Sequence, residues 1–117
     1  MEQAMERITL WGWIDFDGKD AAEVVRGGKQ FILPTYDEPG CIHYVWNADP
    51  LKPSRVWVYE EWESTRALAD HLAGPLYRAM ADYLGQAGMT GAEVDKYRVV
   101  AKQPVYDGSG TPRAEFD

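Results

Sequence analysis

Hydrophobic and polar positions along the chain divide it into short segments of differing period. From Ile8 to Phe16 the run ITLWGWIDF is rich in β-branched and aromatic residues and stops at the turn dipeptide Asp17-Gly18, which predicts a first strand. Asp20 can cap a helix, and Ala22, Val25, Ile32 and Tyr36 fall near helical spacing, so Lys19 to about Tyr36 reads as one. It is a flawed helix: Gly27 and Gly28 cost about 1 kcal/mol each relative to alanine, and Pro34 forces a kink or an early end. After the turn Glu38-Pro39-Gly40, Cys41 to Asn47 alternates as a strand, with Ile42, Tyr44 and Trp46 on one face and Cys41, His43, Val45 and Asn47 on the other. A loop from Asp49-Pro50 to Pro53 leads to a third strand, Arg55 to Trp62, which pairs most economically with the second.

Ser64 or Thr65 caps a helix whose stripe, Leu68 and Leu72, stops at Gly74-Pro75; Pro75 then opens another with Leu76, Met80, Tyr83, Leu84 and Ala87. Val94 to Val105 reads as a last strand and Tyr106 to Asp117 as a tail. The order β-α-β-β-α-β is the ferredoxin-like α+β arrangement, one antiparallel sheet with helices on a single face. Trp11, Trp13, Trp46, Trp57 and Tyr59 are spread over both strand faces, so the uncovered face carries large aromatics and a second subunit is its natural cover. Trp11 and Trp13 share a face, but a one-residue slip decides whether it meets the helices or a partner.

Composition narrows the function classes. With 117 residues the chain is one domain that hides roughly two-thirds of its unfolded surface. Twelve Lys and Arg against 19 Asp and Glu leave a net charge of −7 with no basic stretch, which argues against a nucleic-acid partner. No run approaches the roughly 18 apolar residues of a membrane span, and Glu2, Glu6 and Arg7 interrupt any leader-like start, so a cytoplasmic location is expected. The single cysteine, Cys41, can form neither an internal disulfide nor a cysteine-based zinc site.

The stretch from Glu38 to Met80 resembles the antibiotic biosynthesis monooxygenase family on four features: Glu38-Pro39-Gly40-Cys41, a third strand ending in Glu61-Trp62, His71-Leu72 on a helix, and the turn Pro75-Leu76-Tyr77. The resemblance implies a homodimeric α+β barrel with a cavity between sheet and helices in each subunit. Residues 1–105 would form that domain and 106–117 its tail. Some relatives oxidise a phenol or quinol with O₂ and without metal or flavin; others degrade haem; many have no known substrate. The haem degraders place a strand asparagine near Trp11, a helix tryptophan at the place of His71 and an axial histidine near Ala81, and none of those residue types stands at its position; His71 could ligate instead, but from a different turn. The cofactor-free oxygenases pair a strand tryptophan, matched by Trp62, with an asparagine four residues earlier, where this chain has Val58. The expectation is a cofactor-independent monooxygenase acting on a small phenolic or quinol-type molecule, with no cofactor or metal. The alternative is a non-catalytic binder of small molecules on the same fold, with haem degradation third.

Such chemistry needs a base of near-neutral pKa, groups that hold an anion, and a dry aromatic cavity. There are two histidines. His71 borders the apolar stripe of its helix and is either the catalytic base or a packing residue. Trp62, Tyr44, Tyr77, Tyr83, His43 and Asn47 are the candidate substrate contacts, each with a bland reading as core, interface or cross-strand residue. Glu60 and Glu61, adjacent on a strand, face opposite ways and form no carboxylate pair; one of them is expected to be buried or interfacial.

Overall fold

A computed structural model describes residues 6–117. The chain folds as strand β1 (Arg7–Phe16), helix α1 (Ala21–Thr35), strands β2 (Cys41–Ala48) and β3 (Arg55–Trp62), helices α2 (Thr65–Leu72) and α3 (Pro75–Gln86), and strand β4 (Met89–Val99). The four strands form one antiparallel sheet in the order β2-β3-β1-β4, and the architecture is ferredoxin-like α+β. Among the described residues no helix is long and apolar enough to cross a membrane.

Local chemistry explains the boundaries. Asp20 accepts a hydrogen bond from the Ala22 amide at 2.9 Å and Ser64 one from Ala67 at 3.0 Å, which caps α1 and α2. Pro75 takes the first turn of α3, where its missing amide proton costs nothing. Helix α1 tolerates Gly27 and Gly28 because α3 packs against them: a Cβ on Gly27 would stand 2.1 Å from the Tyr83 hydroxyl and one on Gly28 3.1 Å from Met80 Cε. Pro34 ends α1 one residue later, at Thr35.

Alternation along the strands divides the sheet into two faces. Ile8, Ile14, Phe16, Tyr44, Val56, Val58, Glu60 and Trp62 are buried beneath the helices. Apart from Val58, their apolar members join Ala21, Val24, Leu68, Met80 and Leu84 in two adjoining clusters. Trp11 and Trp13 lie on the opposite face, where Trp11 stacks on Trp57 at 5.1 Å and the Arg55 guanidinium sits 4.0 Å above the Trp13 ring.

Two local expectations are corrected. The last strand begins at Met89, five residues ahead of Val94, and ends at Val99. Gly88, at φ 89°, ends the preceding helix and turns the chain straight into the sheet, while Pro104 cannot donate to a ladder. Cys41 faces the helices, because the pairing slips between Cys41 and His43 and returns Cys41 to the cluster around Trp62.

Candidate functional site

Between the helix-side face of the sheet and helices α2 and α3 lies a cavity of about 320 Å³. Leu10, Ile14 and Val58 form its floor, Tyr44 and Trp46 one wall, and Tyr77, Met80 and Leu84 the roof; Met89 and Val94 border it on the β4 side. Glu60 is the single ionisable carboxyl in this lining. It is there because β3 alternates: Val58, Glu60 and Trp62 point under the helices, while Glu61 points to the open face and pairs with Arg7 at 3.3 Å.

Glu60 is 7% exposed, and burial pushes its carboxyl above the usual carboxylate range, with the negative charge of Glu38 acting the same way. The Trp62 indole N–H, which donates to Glu60 Oε1 at 3.0 Å, and the nearby His71 oppose that shift. Burial, together with the charge of Glu60, also raises the Tyr44 hydroxyl well above its ordinary value. Trp46 Nε1 is buried beside the Tyr44 hydroxyl, whose upward shift the indole N–H opposes, but it makes no hydrogen bond of ordinary length and angle among the described residues, and its ring lines the cavity. An unpaired buried donor is costly unless something occupies the space beside it.

His71 stands behind this wall. The residue is buried, and its ring stacks on Trp62 at 4.6 Å and meets Tyr44 and Tyr77 edge-on, each at 5.6 Å. Its Nδ1 lies 2.6 Å from Glu38 Oε1 and its Nε2 3.9 Å from Glu60 Oε1. The turn Glu38-Pro39-Gly40-Cys41 makes the first contact possible: the Cys41 amide bonds back to the Glu38 carbonyl, and Gly40 takes φ 84° where a Cβ would strike Ala67 of α2.

Of the residues singled out from sequence, Tyr44 and Tyr77 reach the cavity directly, and Trp62 and His71 form the layer behind it. Tyr83 spends its hydroxyl on the Val24 carbonyl at 2.7 Å and serves the contact of α1 with α3. His43 and Asn47 lie on the other face of the sheet, His43 6.3 Å from the Tyr59 ring. Sequence reasoning passed over Glu60 and Trp46 as site residues, although the alternation that put Tyr44 on this face carried Trp46 with it.

Ala81 lines the cavity where the haem-degrading relatives would place an axial ligand, and it has no ligating atom. The only imidazole nearby among the described residues, His71, is buried behind Trp62 and does not line the cavity, so no imidazole of the lining is offered to a haem iron. Among the described residues no three His, Cys, Asp or Glu side chains converge to hold a metal ion.

The fold recurs in other proteins. A protein of Deinococcus radiodurans that carries an antibiotic biosynthesis monooxygenase name superposes with a TM-score of 0.76 at 21% identity, over 86% of this chain and 99% of its own. A conserved protein of Methanosarcina mazei gives 0.71 at 22% identity, over 81% and 94%. An uncharacterised protein of Synechocystis sp. is 25% identical over 100 residues, 86% of this chain and 68% of its own length. The family model described as antibiotic biosynthesis monooxygenase matches residues 14–83, from the last residues of β1 through most of α3, and the chain belongs to that family.

Proposed function

We propose that this protein is a cofactor-independent monooxygenase that oxidises a small phenolic or quinol-type aromatic molecule with O₂, acting in the cytoplasm as a homodimer. The observation that carries the reading is one buried carboxyl, Glu60, set in an otherwise apolar, aromatic-lined cavity of about 320 Å³. A carboxyl whose pKa burial has raised is a stronger base than an ordinary one. An acidic phenol or enol bound against it gives up its proton to Glu60. The resulting anion donates an electron to O₂, and recombination forms a peroxide at the substrate carbon. The peroxide collapses to a carbonyl as its O–O bond breaks and the hydrogen on that carbon passes to the departing oxygen, which leaves as hydroxide, and a proton returned from Glu60 completes water. One oxygen atom ends on the substrate and the other in water. Trp46 Nε1 offers its unpaired N–H to the substrate oxygen, and Tyr44 and Tyr77 supply ring faces for an aromatic ligand.

The test is an oxygen electrode run against a panel of hydroquinones and anthrones in buffer freed of metal and flavin. Substrate-dependent O₂ uptake is expected, and Glu60→Gln should lower kcat by roughly 10²- to 10⁴-fold while the ligand still binds. Saturable binding with no O₂ uptake across the panel overturns the reading in favour of a non-catalytic binder.

A further inference from the structure

We propose that Glu38 and His71 form a proton relay that joins Glu60, at the cavity wall, to solvent at the surface turn before β2. The inference rests on Glu60 being the group that takes the substrate proton, and it adds the route by which that proton leaves and returns.

Geometry carries it. Glu38 Oε1 and His71 Nδ1 are 2.6 Å apart, and the Glu38 side chain keeps 20% of its surface in solvent while that of His71 keeps 1%. In the relay Nδ1 holds the hydrogen of that bond and Nε2 carries the lone pair of the ring. That lone pair stands 3.9 Å from Glu60 Oε1, a small side-chain rotation or one water short of a hydrogen bond. Stacking on Trp62 and edge contacts with Tyr44 and Tyr77 hold the ring between its two carboxyls. A purely structural histidine could satisfy Nδ1 with any backbone carbonyl; here it uses a surface carboxylate 33 residues away in sequence.

The transfer balances. Protonated Glu60 gives its proton to Nε2 as Nδ1 gives its own to Glu38, leaving a Glu60 carboxylate, the other neutral tautomer of His71 and a protonated Glu38, which releases the proton to water. No electrons move. A proton left on Glu60 beside a new substrate anion would fall back onto it, whereas one moved to the surface leaves the anion free to meet O₂. Reversal restores the first tautomer and returns the proton for the water that leaves. The ionisable groups facing Glu60 are Tyr44 and Cys41 from β2, His71 from α2, Tyr77 from α3 and Glu38 from the turn, so Glu38 and His71 are the only pair among them that leads outward through a hydrogen bond.

The decisive variant is Glu38→Gln, at a surface turn where the fold asks little of the charge. In the full-length protein with ¹³C-labelled glutamate and ¹⁵N-labelled histidine, NMR should show His71 protonated at Nδ1 in the wild type. In the variant the tautomer balance should change, and the titration midpoint of the Glu60 carboxyl should move. With a hydroquinone that is turned over, Glu38→Ala should lower kcat about tenfold, less than loss of the base itself, and shift the pH limb governed by Glu60. Acetate, entering the space the side chain vacates, should restore the lost rate; a structural role would respond to neither acetate nor pH. An unchanged Glu60 midpoint and His71 tautomer in Glu38→Gln overturn the relay, whether or not any substrate is oxidised. A changed His71 tautomer in Glu38→Gln with no O₂ uptake from any quinol supports the relay and overturns the oxygenase reading alone.

Discussion

At the scale of single residues, the burial of Glu60 has a consequence for stability. An unfolded glutamate titrates near its ordinary value of 4.5, and in the folded protein burial raises that value. Between the two, the native state holds a proton that the unfolded chain has released, so stability falls as pH rises through this window, and the full cost is present above it. Glu60→Gln keeps an acceptor for the Trp62 indole N–H and has no charge to bury. Melting curves from pH 4 to 8 should therefore show the variant more stable than the wild type near neutrality, with the gap closing towards acid. Parallel curves would mean that the buried charge is offset, most plainly by a protonated His71.

The same pair separates the legible from the hidden. His71 and its borderline position on a helical stripe could be read from spacing, since a residue three or four away from Leu68 and Ala67 must lie near the core. That it faces Glu38 on one side and Glu60 on the other could not, because those contacts cross from one element to another and depend on the turn at Gly40. Neighbouring glutamates on a strand were readable as facing opposite ways; which of them looks into the cavity is a question of register.

At the scale of elements, close approach is the constraint that pattern hides. Gly12 sits in the middle of β1, where a glycine ordinarily weakens a strand. A Cβ there would lie 1.9 Å from the Glu93 carbonyl oxygen and 2.5 Å from Val94 Cα, both backbone atoms of β4. Side chains can rotate away from such a clash, but a strand must move. Gly12→Ala should therefore cost about 1–3 kcal/mol or more in urea unfolding and displace β4, which borders the cavity through Met89 and Val94. Wild-type stability in this variant would show that β4 is free to shift. Strands β1 to β3 and all three helices were close to readable from periodicity and caps. The start of β4 was not, because Met89 to Glu93 is mostly exposed and gives the alternation no apolar face to mark.

At the scale of the whole molecule, the sheet face away from the helices asks for a partner. Trp11 is 49% exposed although it stacks on Trp57, and Arg55 covers Trp13 while forming a two-point ion pair with Asp15 at 2.7 and 2.8 Å. Trp57 is fixed further by its indole N–H bond to Asp49 at 2.6 Å. These side chains are held rigidly before any partner arrives, so little rotamer freedom remains to be lost on docking, and large stacked aromatics are the groups that dominate interface energetics. A face of this kind, belonging to one chain, pairs most simply with a second copy about a two-fold axis. Light scattering at micromolar concentration should give about twice the chain mass of 13.2 kDa. Trp11→Lys places a charge in the middle of that face and should yield monomer with the fold retained by circular dichroism, since its side chain contributes nothing to the helix-side core. A monomeric wild type would show that the ladder of aromatics is simply a stiff surface, and the cavity would then have to operate within one chain.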